Sequence, residues 1–159
     1  MKKLIITLVS LAILIPSTVF SQDRRALRAA EMSFNSAESD YKKGNHKEAA
    51  QKFDIVVTTI SASIDSRKHL EMRLESLIKL IDIHFYKSVN INQACEYLDM
   101  YNSTMNTVRN TGVLRPTDLL KYLKQQQEFA NKEAGMCESY ERVGEDMDKF
   151  KKTFEKEFE

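Results

Sequence analysis

Glycine and proline are scarce, 4 and 2 among 159 residues, and tryptophan is absent. So few turn formers exclude an all-β domain, which needs turn signals about every 8–12 residues. Cysteine occurs only twice, too few for a zinc ribbon or a multi-bridge framework. A glycine-rich phosphate loop is missing. Excess charge of one sign is missing too, with 24 Lys and Arg against 23 Asp and Glu. Near-neutrality gives no electrostatic footprint for nucleic acid. Beyond residue 21 no apolar run approaches the ~18 residues expected of a membrane span. What abounds is Ala, Leu, Glu, Lys, Gln and Met, all good helix formers, so the expected fold class is all-α.

The first residues read as an address. Lys2 and Lys3 precede an apolar run over 4–15, then Pro16 and the sequence Ser17-Thr18-Val19-Phe20-Ser21. Length, order and flanks predict a secretory signal peptide over 1–21 with a cut before Gln22. The alternative, an uncleaved anchor, has only about 17 apolar residues to work with, at the bottom of the range for a span. The expected location is periplasmic or secreted. Removing the leader leaves 138 residues, the size of one domain, with 22 basic against 23 acidic side chains. In an oxidising compartment Cys95 and Cys137 invite a disulfide that would stabilise by roughly 3–4 kcal/mol on a loop-entropy estimate. Two buried free thiols are the alternative.

Apolar spacing predicts a series of helices. The first spans 23–43, with Ala30, Phe34, Ala37 and Tyr41 as its stripe, and ends at Gly44. The second starts at Asn45, with Glu48 placed to close a capping box, and buries Ala49, Phe53, Val56 and Ile60. The third runs from Asp65 or Ser66 to about Ser88 through Leu70, Leu74, Leu77, Ile78, Ile81 and Phe85. The fourth starts at Asn90, carries Ala94, Leu98, Tyr101, Met105 and Val108, and ends in a turn at Asn110-Thr111-Gly112. The fifth opens near Pro116 with Leu119, Leu120, Leu123 and Phe129 inward. Around 130–135 either a short turn or a bend leads on. Met136, Tyr140, Val143, Met147, Phe150 and Phe154 then repeat at spacings of four and three, a heptad-like seam.

Helices one and two match helices three and four at an offset of 45. Tyr41 pairs with Tyr86, Lys42 with Lys87, Asn45 with Asn90, Ala49 with Ala94, Phe53 with Leu98, Val56 with Tyr101 and Ile60 with Met105. Repetition of this kind predicts stacked helical hairpins. The stretch 40–53, with its Gly44-Asn45 turn, Ala49 and Phe53, resembles the inter-helix turn and second helix of the tetratricopeptide repeat family. Ile81, Phe85, Ala94 and Leu98 follow the same pattern in the second copy. The family's tryptophan positions hold Ser33 and Ile78, its closing proline is replaced by Ser61 and Asn106, and Val89 stands where the second turn glycine belongs. The period of 45 also exceeds the family's ~34.

The resemblance implies an α-solenoid of about three hairpins, with 22–112 forming two of them and 113–159 a third helix pair and a C-terminal amphipathic cap. It also implies that the first helix of each hairpin lines a concave face. That face would carry Phe34, Glu38, Tyr41 and Lys42 in one copy and Lys79, Ile83, Tyr86 and Lys87 in the next. The tyrosines offer rigid apolar surface with a polar tip; they could grip a partner or pack between hairpins.

Catalytic chemistry finds no foothold. His46, His69 and His84 form no zinc-binding pair, the cysteines have no CxxC partner, and the acidic residues lie in mixed-charge helices. No catalytic residue, cofactor or metal is therefore expected. The expected role is an exported scaffold that binds a peptide or protein partner, without nucleic acid or membrane insertion. Alternatives are an envelope-assembly subunit docked, or paired with a second copy, through the C-terminal helix, and a small-molecule or lipid carrier.

Overall fold

The computed structural model describes the backbone of residues 24–157 and side chains as far as residue 149, that of Asp148 excepted. The leader expected over 1–21 and the cut expected before Gln22 lie outside the described residues, as do the side chains of Phe150, Phe154 and Phe158. The described chain is all-helical: α1 Arg24–Lys43, α2 His46–Thr59, α3 Arg67–Asp82, α4 Ile91–Thr111, α5 Pro116–Lys132 and α6 Ala134–Glu157. A single π-helical turn, Ile83–Lys87, extends α3. Pro116 takes the first position of α5, and Gly112 ends α4 in a left-handed conformation (φ 66°). The region 130–135 resolves into two helices that meet at Glu133.

Helices pack in antiparallel succession, α1 on α2, α2 on α3, α3 on α4, with α5 and α6 against α4. α3 is the hub, touching α1, α2 and α4. It buries Leu70, Met72, Leu74, Leu77, Leu80 and Ile81, far more than one stripe. The stripes of α2 and α4 are buried as expected, including both Ala49 and Ala94, which are fully buried. α5 differs in one position: Leu120 is exposed, and Tyr122, three residues on from Leu119, is buried in its place. Tyr122 and Leu123 follow Leu119 by three and four residues and Phe129 follows Tyr122 by seven, which draws the inward face, and Leu120 is turned about 100° from Leu119.

Capping is unequal in the two hairpins. Asn90 closes the expected box, with Oδ1 accepting from Gln93 N at 3.3 Å and Nδ2 donating to Gln93 Oε1 at 3.1 Å. Asn45 makes no side-chain cap bond; its side chain is turned to Asp40.

The largest departure from an apolar core is Arg73. Its guanidinium is buried on α3 and donates through Nη1 to Val57 O and, at 2.6 Å, to Ile60 O. Nε donates to Thr104 Oγ1 on α4 at 3.2 Å. The two carbonyls belong to the C-terminal end of α2, where backbone acceptors lack helical partners and the helix dipole is negative. Burial pulls the Arg73 pKa down from its ordinary value, yet a guanidinium keeps its charge in proteins. Arg73→Ala strips partners from two buried carbonyls and opens a void, and should cost about 3 kcal/mol in denaturant unfolding. Thr104→Val, which removes the Arg73 Nε bond and the bond from Thr104 Oγ1 to Met100 O at 2.7 Å but leaves both α2 carbonyl bonds in place, should cost less, about 1–2 kcal/mol. Similar losses for both variants would show that the carbonyl bonds carry little of the stability.

Cys95 on α4 and Cys137 on α6 form a disulfide, with Cα atoms 5.8 Å apart. It fixes the first turn of α6 to the body, where Cys137 also packs against the core. Reduction should lower stability by roughly 3–4 kcal/mol and expose α6 to proteolysis before the rest. Equal proteolysis of oxidised and reduced protein would mean that α6 is held by packing alone.

Candidate functional site

A groove of about 320 Å³ opens between α1, α3 and α5. Its apolar lining is Phe34, Met72 and Tyr122; its charged lining is Lys68, Glu71, Glu75, Asp118 and Lys121. Phe34 is held by an edge-on contact with Phe53, ring centroids 6.0 Å apart. Most of the charges are already engaged. Lys68 meets Glu31 at 2.8 Å, Arg67 meets Glu71 at 3.4 Å, and Lys121 pairs with Glu75 while its ammonium lies 4.9 Å from the Tyr122 ring centre. Asp118 enters no ion pair among the described residues.

The expected face residues do not gather on one surface. Phe34 lines the groove. Tyr41 and Lys79 come together farther along α1 and α3: the ammonium sits 4.5 Å from the ring centre, and the hydroxyl donates to Asp82 at 2.6 Å. Glu38 and Lys42 form an i, i+4 pair at 3.9 Å. Tyr86 is half exposed and donates to Glu133 at 2.7 Å, and Lys87 is exposed. Ile83 is the correction: it is buried in the core, because the π turn is wedged against both α2 and α4. It takes no part in the α1–α3–α5 groove and instead helps to line the cleft described below.

Tyrosine hydroxyls bridge neighbouring helices repeatedly. Besides Tyr41–Asp82 and Tyr86–Glu133, Tyr122 donates to Glu75 at 3.0 Å and Tyr97 to Asp54 at 2.9 Å. Nothing in the local sequence signals these bonds, since the partners lie more than 40 residues apart.

A second concavity, a cleft of about 420 Å³, lies between α2, the π turn and the start of α4. Lys47, Gln51 and Asp54 of α2, His84 and Ser88 at the π turn, and Asn90, Gln93 and Tyr97 at the start of α4 line it. His84 is buried, stacks on Tyr97 at 5.5 Å, and has its pKa lowered by burial against the smaller opposing effect of Asp54. The chain leaves the π turn through Val89, a β-branched residue at φ 44°, a conformation that costs of order 1–3 kcal/mol. Gly44, its counterpart in the first hairpin, takes the same left-handed region at φ 83°.

Glu31, His69 and Ser66 are joined in sequence: Nε2 of the imidazole lies 2.9 Å from Glu31 and Nδ1 lies 2.7 Å from Ser66 Oγ. The connectivity is that of an acid–base–nucleophile relay. Ser66, however, is the residue before α3, His69 follows one turn on, and Ser66 lines neither the groove nor the cleft. The trio joins α1 to α3. Glu31 is held below the usual carboxylate range by its hydrogen bonds with Lys68 and His69. Among the described residues no cluster of three or more His, Cys, Asp or Glu side chains could hold a metal ion, and no helix is long and apolar enough to cross a membrane.

Comparison with protein-family models, with curated proteins and with solved structures finds no match for this chain.

The tyrosine bridges predict an alkaline limit to stability. Burial and the Asp82 bond push Tyr41 up to about 12, and the Glu133 bond and burial push Tyr86 up to about 12. A phenol whose folded pKa is raised favours the folded state fully below its unfolded pKa, near 10, and loses that contribution as pH rises through the folded value. The thermal midpoint should therefore fall between pH 10 and about 12. A Tyr41→Phe/Tyr86→Phe double variant should be less stable at neutral pH and fall less steeply over that window. An unchanged slope would remove these bridges from the stability of the fold.

Proposed function

We propose that this chain is an exported scaffold of stacked helical hairpins, similar in design to tetratricopeptide repeats, that holds a peptide or protein partner without performing chemistry on it. The observation that carries the reading is the groove formed by the alternate helices α1, α3 and α5. Equivalent burial at positions 45 apart supports the stacked-hairpin arrangement: Ala49 with Ala94, Phe53 with Leu98, Val56 with Tyr101, Ile60 with Met105. The shared left-handed turn position, Gly44 and Val89, supports it as well. Export rests on the predicted leader.

The groove suits one chemistry better than others. Phe34, Met72 and Tyr122 give a place for an apolar side chain, and Asp118 beside them has its charge left for a partner's Lys or Arg. A short segment pairing an apolar and a basic residue is thus the preferred guest. A photo-reactive amino acid placed at Asp118 or Lys121 should crosslink one protein in the envelope, whereas one at Ile55, exposed on α2, should not. Asp118→Lys should weaken capture of that protein by about tenfold or more with helicity unchanged. Equal crosslinking at groove and control positions, or capture indifferent to the reversal, would refute the groove.

A further inference from the structure

α6 leaves the body soon after it starts. Cys137 is anchored, but every residue from 138 to 147 is exposed. Along this free length lie Tyr140, Val143 and Met147, exposed by 50%, 62% and 64%. They form one stripe, begun by Met136 and continued in sequence by Phe150 and Phe154 at spacings of four and three. A helix that keeps so much apolar surface in water, at a strict seven-residue period, is unfinished as a monomer. Its outer side is already provided for: Lys149 pairs along the helix with Glu145 at 4.0 Å and Asp146 at 3.5 Å.

We propose that this seam pairs with the same seam of a second copy as a parallel, in-register two-stranded coiled coil. In heptad terms Met136, Val143 and Phe150 occupy d positions, and Tyr140, Met147 and Phe154 occupy a positions. Asp146 then falls at g and Lys151 at the following e, the two positions that face each other across a parallel dimer. The pair occurs twice by symmetry, with opposite charges in both instances. Antiparallel pairing sets g against g and e against e, so that Asp146 and Lys151 would not meet. The other flanking residues beside the described part of the seam are Cys137, which is tied to Cys95, Ser139 and Gly144, and a Cβ added at Gly144 would meet nothing within 4 Å. Small side chains there let two helices approach closely.

The anchored first turn favours the pairing. Isolated helices of two or three heptads are marginal because nucleation is costly. Here the disulfide and the packing of Cys137 on the core start the helix from a fixed base. The pairing face is separate from the α1–α3–α5 groove, so the inference stands apart from the proposed partner site.

Sedimentation of the purified protein over a wide concentration range tests it. The expected result is a reversible monomer–dimer equilibrium whose dissociation constant rises at least about tenfold in Val143→Asp, since that places a charge in the seam. Because residue 143 is exposed, the variant should keep its helicity and thermal midpoint at low protein concentration. Arrangement is read from two single variants, Tyr140→Cys and Met147→Cys, each of which should form a same-residue crosslink on oxidation. A protein that stays monomeric at every concentration overturns the proposal. Crosslinking between 140 and 147 in a mixture of the two variants, with no same-residue product, overturns the parallel arrangement. Unaltered dimerisation in Val143→Asp overturns the seam as the interface.

Discussion

Arg73 is the constraint on which the other packing depends. It places a charge in the middle of the hub helix, at a point where α2 ends and α4 passes. A buried cation without a carboxylate is costly unless several acceptors surround it. The end of α2 supplies them, because its last carbonyls have no helical partner and point the negative end of a dipole at the guanidinium. The arrangement solves two problems together: the helix end is capped and the charge is neutralised. It also fixes where α2 must stop relative to α3 and α4, which a purely apolar contact would leave free to slide. The relative placement of α2, α3 and α4 is tied at that fixed point.

The tyrosine–carboxylate bonds act on top of this frame. Each spans two helices and none lies within one. A phenol buries a large ring and delivers a hydrogen bond at the edge of the core, where a carboxylate can stay partly solvated. The result is a protein with little ornament in its loops and much specificity between helices. Glu133 shows the limit of this economy. It is buried, one oxygen accepts from Tyr86, and the other finds no partner among protein groups. It sits where α5 gives way to α6, so the junction that directs the free helix also holds a buried oxygen without a partner.

Much of this was legible in the sequence and some was not. The helices, the buried stripes of α2 and α4, and the correspondence at an offset of 45 follow from apolar spacing, which responds directly to burial. The disulfide remained open because spacing along the chain does not measure distance across it. Arg73 left a trace, three residues after Leu70 and four before Leu77, on the apolar face itself. That trace is ambiguous in a lysine- and arginine-rich helical protein, since long cationic side chains often lie along apolar surface and reach out to water. The tyrosine bridges left none, because each partner is set by tertiary geometry. Asn45 and Asn90 look equivalent in sequence and differ in space, for Asp40 competes for the first and nothing comparable does for the second. The burial of Ile83 could not be read either, since a π turn has no reliable signature and moves every later side chain around the helix.

That π turn deserves weight in any account of how the molecule works. Val89 occupies a turn position that glycine would fill without strain, yet the strain is sustained. Ser88 N donates to Ile83 O and Asn90 N to His84 O, both at 2.8 Å, so the backbone on each side of Val89 is tied down. An inserted residue in the hub helix would rotate all that follows; the left-handed turn at Val89 resets the chain so that Asn90 still caps α4. The two irregularities compensate each other, and between them they bury His84 beneath the cleft and turn Tyr86 outward toward Glu133. A regular helix from Arg67 to Lys87 would present different side chains on both sides of α3. Irregular helix geometry of this type concentrates at functional sites, and here the π turn lines the cleft through Ile83 and His84 at the end of the helix whose body lines the groove.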